Sequence, residues 1–319
     1  DKSGSTVPST VISGGTFKNL CTKTTAWTVR ATNAADGATK VSGGAFNKKI
    51  FDSYLADGLS CVKNADGTYG AAVAIAQIGS VNYASLQDAI NAAKSRNTVK
   101  LLTDIVLDAQ AGTESTLYPQ FTISNKKLTL DMQGHKISYS EESHAKDYGN
   151  ASLLTLSIDK GSDVVITGNG TIDTELGSNQ AYGINVLGGS NLTINNGTFY
   201  GAMTAVQVQK GNLVINDGTF LMSPTCNEQV PQYAKYIINC IDAAWKDGSA
   251  TVSIKGGTFG HDYSNSPEGE GTSYLASGYV SVDNGNGTYG VETGVAQIGT
   301  KAYTSLQAAI DAAQAGDTV

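Results

Sequence analysis

Arginine is nearly absent from this chain: Arg30 and Arg96 are the only two in 319 residues, and the net charge is −7. No basic stripe can form, so nucleic acid is excluded as an expected partner. Proline is scarce, with five residues, and charged side chains make up only 15%, while glycine is plentiful at 37. That balance suits a turn-rich all-β fold and disfavours both helix-rich and disordered chains. No apolar run approaches the ~20 residues of a membrane span. The start at Asp1 lacks the charged-then-apolar pattern of a signal peptide, so secretion has to be inferred rather than read. Cys21, Cys61, Cys226 and Cys240 are too few and too irregular for a disulfide framework and contain no CxxC pair. Cys226 with Cys240 is the one candidate bridge; buried, idle thiols are the alternative. Without closely spaced His and Cys ligands no metal site is expected, and no cofactor is implied.

What is present is repetition. Residues 64–98 return, about half of them identical, as residues 284–318. Asn64-Ala-Asp-Gly-Thr-Tyr69 becomes Asn284-Gly-Asn-Gly-Thr-Tyr289, and Tyr83-Ala-Ser-Leu-Gln-Asp-Ala-Ile90 becomes Tyr303-Thr-Ser-Leu-Gln-Ala-Ala-Ile310. The shift is a constant 220 residues (303 − 83, 289 − 69), so the repeating unit has the size of a domain. This divides the chain into the terminal rungs of a preceding module (1–75), one complete module (76–295) and the start of the next (296–319). The whole reads as a piece of a longer array.

A shorter repeat lies inside: Gly189-Ser-Asn-Leu-Thr-Ile-Asn-Asn-Gly-Thr-Phe199, Gly211-Asn-Leu-Val-Ile-Asn-Asp-Gly-Thr-Phe220 and Gly248-Ser-Ala-Thr-Val-Ser-Ile-Lys-Gly-Gly-Thr-Phe259. Leu192 and Ile194, Leu213 and Ile215, and Val252 and Ile254 alternate with polar residues, the period of a strand with one buried face. Glycines then turn the chain. Gly161 to Ile172 repeats the theme, Lys127 to Gly134 is a looser copy, and Ile12-Ser-Gly-Gly-Thr-Phe17 and Val41-Ser-Gly-Gly-Ala-Phe46 belong to the preceding unit. Corresponding glycines are 27 (Gly170 to Gly197), 21 (Gly197 to Gly218) and 39 (Gly218 to Gly257) residues apart. A constant minimum with variable excess is the signature of a solenoid whose loops sprout at one corner. A propeller blade needs four strands in roughly 40 residues, more than the shortest interval holds. The expected fold class is therefore all-β, a parallel β-helix. Asn195 and Asn216, at the same place before the turn, are candidates for a ladder of stacked amides.

Open solenoid ends need covering. Ser85-Leu-Gln-Asp-Ala-Ile-Asn-Ala-Ala93 reads as a short amphipathic capping helix (about 85–94), with Leu86, Ala89, Ile90 and Ala93 on one face and Ser85 and Asp88 at capping spacing. Ser305 to Ala313 is its second copy.

The Gly-Gly-Thr-Phe rungs, the Tyr54-Leu-Ala-Asp-Gly58 turn with its copy Tyr274-Leu-Ala-Ser-Gly278, the Asp-Gly-Thr-Tyr motif and the capping helix together resemble repeat modules of large cell-surface proteins of gut Firmicutes. The similarity runs over nearly the whole chain. It implies a right-handed, pectate-lyase-like β-helix and an adhesin-like or stalk role outside a bacterial cell.

Three functions follow from this. The first is an extracellular adhesin-like module that binds a host protein or glycan, such as mucin, an immunoglobulin or another secreted glycoprotein. Duplication turns weak contacts into avidity, and neighbouring modules of the same chain pack against it. The second is a polysaccharide lyase or glycoside hydrolase on the same fold. From Asn97 to Val319 there is no arginine to serve as a lyase base, and Lys210 and Lys255 adjoin no acid cluster. Asp131, Asp173 and Asp217 do not align as the carboxylate pair, about 6.5–9.5 Å apart, of an inverting hydrolase. The expectation is no enzyme. The third is a spacer that binds nothing. Candidate ligand-binding residues are Tyr139, His144, Tyr148, Tyr182 and Tyr200, placed by the repeat pattern on loops. The run Tyr139-Ser-Glu-Glu-Ser-His-Ala-Lys-Asp-Tyr148 gathers His144 with Glu141, Glu142 and Asp147 but reads as a solvated loop before it reads as a catalytic cluster. Residues 221–247, with Pro224, Pro231 and Trp245, form the longest excursion, an insert or a second lid.

Overall fold

The computed structural model describes residues 9–23, 26–30, 39–108, 117–140, 152–175, 181–224, 236–265 and 272–319. The chain is mostly β with long parallel sheets, and it divides into two compact units, 1–93 with 98–103 and 94–97 with 104–319.

In the second unit the chain visits three parallel sheets in turn. One holds Lys127–Asp131, Asp163–Thr167, Ser190–Ile194, Gly211–Ile215 and Ala250–Ile254, each paired in parallel with the next. The next holds Ile105–Leu107, Lys136–Tyr139, Thr171–Asp173, Thr198–Gly201, Thr219–Met222 and Gly257–Phe259. Leu117–Ser124, Ser152–Asp159, Tyr182–Val186, Thr204–Val208 and Ile238–Cys240 make the third. The connections from the second sheet to the third vary most in length, spanning residues 140–151, 174–181 and 223–237 where the shortest needs only 202–203. The corner between the first sheet and the second keeps short glycine-containing turns, and the corner between the third and the first is short except where helix Asp242–Lys246 enters it.

Register places like on like. Leu130, Ile166, Ile194, Ile215 and Ile254 form one buried row, and Ile137, Ile172, Phe199, Phe220 and Phe259 another. The Phe199, Phe220 and Phe259 rings stack nearly parallel, 4.9 and 5.0 Å between centroids, close to the inter-strand spacing. Each such side chain contributes about 1.5–3 kcal/mol on burial. Leu192, Ile194, Leu213, Ile215, Val252 and Ile254, assigned inward from their alternation, are all buried, as are Phe199, Phe220 and Phe259. Asn216 Nδ2 donates to Asn195 Oδ1 at 2.8 Å, so that ladder closes on its own side chains. Asn212 Nδ2 does the same to Asn191 Oδ1 at 2.7 Å, a second ladder not anticipated from the pattern.

The first unit opens with the same device in shorter form. Thr10–Ile12 pairs in parallel with Thr39–Val41 and Thr16–Phe17 with Ala45–Phe46, with the Phe17 and Phe46 rings stacked at 4.8 Å. Val41, Phe46, Ile50 and Leu55 form its core.

Each copy of the long repeat then departs from the expected rungs. Ser60–Lys63 and Tyr69–Ala72 form an antiparallel hairpin, as do Tyr279–Asp283 and Tyr289–Thr293. The reason is local. Asn64 donates its N–H to Thr68 O, and Asp66 Oδ1 accepts both the N–H and the hydroxyl of Thr68, which closes a tight turn. Asn286 Oδ1 treats Thr288 identically, so Asp and Asn interchange where only an acceptor oxygen is used. A second hairpin and a helix follow in each copy: Ala76–Ile78 with Val81–Tyr83 and helix Leu86–Ala92, then Ala296–Ile298 with Lys301–Tyr303 and helix Leu306–Ala312. Ser85 Oγ accepts the Asp88 N–H and Ser305 Oγ the Ala308 N–H, so both helices are capped as the sequence implied.

Candidate functional site

Of the candidate tyrosines that the structure describes, one is buried and two lie on different sheets. Tyr139 is a correction: it lies on strand Lys136–Tyr139 rather than on a loop, and only 1% of it is exposed. Two residues beyond inward-facing Ile137, it has the same strand phase, and its hydroxyl lies 3.0 Å from Thr155 Oγ1. Tyr182 begins strand Tyr182–Val186 beside Leu154 and Thr204 and is partly exposed. Tyr200 follows buried Phe199, so it faces outward, between Asp173 and Leu221 on neighbouring strands. Asp173 is engaged by Lys136 Nζ at 2.7 Å. Tyr182 and Tyr200 therefore sit on different sheets. His144, Tyr148, Glu141, Glu142 and Asp147 lie outside the described residues.

The three acids weighed for hydrolysis are separately employed. Asp131 Oδ1 accepts the Gln133 N–H, Asp173 pairs with Lys136, and Asp217 Oδ1 accepts the Gly218 N–H. Among the described residues no group of three or more His, Cys, Asp or Glu side chains could hold a metal ion. Within the 221–247 excursion, Ile238–Cys240 continues the third sheet and Asp242–Lys246 forms a helix, with Trp245 edge-on to Tyr274. Its described end is thus framework. Cys240 is buried, and Cys226 lies outside the described residues.

Two cavities of about 650 Å³ each open at related places in the two copies. The one in the second unit lies among Tyr279, Ser281, Thr300, Lys301 and Tyr303. In the first copy the matching strands are joined, Val62 opposite Asn82, whereas the second-copy hairpin Ala296–Ile298 with Lys301–Tyr303 forms a two-stranded sheet of its own. Gln77 Nε2 donates to Asn82 Oδ1 at 2.8 Å in the first copy. Ala302 stands where Asn82 would, so Gln297 cannot make that bond, and the cavity is an unzipped junction rather than a built site.

The first-unit cavity is different. Its lining includes Trp27, Phe51, Tyr69, Lys48, Lys49 and Asp52. Trp27 and Phe51 meet edge to face at 5.4 Å, and Phe51 meets Tyr54 likewise at 6.1 Å. The Arg30 guanidinium carbon lies 4.8 Å from the Trp27 ring centroid. Asn47 fixes this segment: its Oδ1 accepts the Asn19 N–H and the Thr28 hydroxyl, and its Nδ2 donates to Asn19 O. Asn19 Nδ2 in turn donates to the Trp27 carbonyl, and Val29 packs against the core. Cys61 at the cleft floor has its thiol pushed up by burial, opposed by the Ile50 N–H that it accepts at 3.4 Å. Sequence reading passed over this place. The signal was a lysine pair beside a phenylalanine, Lys48-Lys-Ile-Phe51, in a chain poor in basic residues.

No family model, curated protein or solved structure matches the chain.

Proposed function

We propose that this chain is a repeat module of a bacterial cell-surface, adhesin-like protein. In this reading it folds as a right-handed parallel β-helix and binds a host glycoprotein, an immunoglobulin or a glycan outside the cell. The observation that carries the reading is the return of a complete hairpin–hairpin–capped-helix element after 220 residues, with the same element order both times. A duplicated rigid scaffold serves reach and avidity better than it serves a single turnover site. Handedness is supported by the general rule that crossovers between parallel strands of one sheet are right-handed in about 98% of cases. The contact surface in this reading takes in the 140–151 connection, to which His144 and Tyr148 belong in sequence, with the partly exposed Tyr182 and Tyr200 on the two sheets which that connection joins.

Immobilised mucin, secretory immunoglobulin and a glycan panel test it, each probed with the chain and with a version extended past Val319 by a further copy of residues 100–319. The 220-residue period puts that join in register. Apparent affinity is expected to rise about 100-fold on extension. Equal retention of the two forms would remove avidity from the argument, and no retention of either would favour the spacer. New reducing ends or unsaturated products from pectin or mucin glycans would favour the enzyme.

A further inference from the structure

We propose that the Trp27–Phe51 cleft of the first unit binds an acidic saccharide, a pyranose carrying a carboxylate or a sulfate. The inference deepens the glycan-binding reading above and rests on it.

Exposure comes first. Trp27 is 38% and Phe51 46% exposed, although both belong to a segment held by the Asn19–Asn47 clamp and by core contacts. Large aromatic side chains left open on a fixed wall form a preorganised stacking surface, with the ordering cost met in folding rather than on binding. A pyranose ring offers such a surface its flat C–H face.

Charge narrows the ligand. Lys48 and Lys49 both line the cleft, and neither has an acid within ion-pair distance among the described residues. The Arg30 guanidinium lies over the Trp27 ring, and Asp52 is the only acid among the described lining residues. Two lysines against one carboxylate in the described lining make a local excess of positive charge on a chain whose net charge is −7. A neutral sugar would leave that excess unused; a carboxylate or sulfate on the ring would meet it with charge-assisted hydrogen bonds. A cavity of about 650 Å³ admits one to two sugar residues and is too small for a protein surface.

The second copy is an internal control. Counting from the stacked phenylalanines, Phe46 and Phe259, the positions of Lys48 and Lys49 are taken by His261 and Asp262. Asp262 carries a carboxyl held below the usual range: burial opposes this, and the hydrogen bond from the Ser264 N–H, with the serine side chains nearby, outweighs it. No tryptophan lines the second cavity. One site per chain follows.

Trp27 and Trp245 are the only tryptophans, so Trp245→Phe leaves Trp27 as the sole indole reporter. Its fluorescence is titrated with sialyllactose, trigalacturonate, a sulfated glycosaminoglycan disaccharide, lactose and a short glutamate-rich peptide. A saturable change with at least one acidic saccharide is expected, weaker by about tenfold for lactose. Loss in Trp27→Ala, read by calorimetry, and weakening by about tenfold in Lys48→Gln/Lys49→Gln, with thermal unfolding unchanged, complete the expected result. No saturable change, equal response to lactose, or response to the peptide alone overturns the proposal. The two readings fail separately. Glycan-panel capture that survives Trp27→Ala keeps the adhesin reading and removes the cleft, whereas a Trp27 response without capture of any immobilised host molecule does the reverse.

Discussion

Leu86 and Leu306 occupy the same position of the same capped helix, 220 residues apart, yet Leu86 is 1% exposed and Leu306 56%. In the first copy, strand Asn97–Leu101 follows the helix and pairs antiparallel with Ala76–Ile78; the 220-residue shift puts the counterpart of that strand at 317–321, running past Val319. Leu86→Ala is therefore expected to cost about 2–5 kcal/mol and Leu306→Ala no more than about 0.5 kcal/mol. Urea midpoints of the two variants measure this. Equal losses would show that the two helices do equivalent work.

Gly211 and Gly189 test the close approach of rungs. Both have positive φ, +137° and +74°, but a Cβ on Gly211 would lie 2.1 Å from Ser190 O, whereas one on Gly189 meets nothing within 4 Å. Gly211 is the register partner of Ser190, so the clash cannot be relieved without parting two strands. Gly211→Ala is expected to cost roughly 3 kcal/mol and Gly189→Ala about 1 kcal/mol, by calorimetric unfolding.

Tyr139→Phe should act on stability and leave binding alone. It removes the contact with Thr155 Oγ1 inside the second unit, at an expected cost of about 1–2 kcal/mol. Retention on mucin, immunoglobulin or glycan should match the parent chain. A loss of retention without a shift in unfolding would return Tyr139 to the binding surface.

Asp104 supplies a pH dependence. The Lys136 N–H and His135 Nδ1 that meet Asp104 Oδ1, at 3.0 and 3.1 Å, hold its carboxyl below the usual range. A folded pKa below the unfolded one, about 3.9, gives stability that is fully present above that unfolded value and is lost as pH falls through the folded one. Because the side chain is mostly exposed, Asp104→Asn is expected to cost only about 0.5 kcal/mol at neutral pH, with the difference vanishing in acid. Denaturation of both forms across that range checks the sign.

The rungs, their inward residues and the helix caps were legible because each rests on local pattern. Alternation decides which face of a strand is buried, glycine decides where the chain can turn, and Ser85 stands one residue before its helix. The hairpins at 60–72 and 279–293 carry a legible signal too, the Asp-Gly and Asn-Gly turns at Gly67 and Gly287, which mark antiparallel hairpins rather than rungs. Tyr139 lies on a strand and not on the expected loop because strand phase extends to that residue.

The sequence by itself determined the period of the repeat, the rows of like side chains and the sites of the turns, because these depend on residues within a few positions of one another. Only the tertiary structure decided that Leu86 is covered, that Val62 reaches Asn82 while the second-copy hairpin pairs with no other strand, and that Trp27 meets Phe51 beside Lys48 and Lys49. Burial and encounter are set by residues distant in sequence. Near-identical stretches can therefore have different surroundings, and groups separated along the chain can share a cleft.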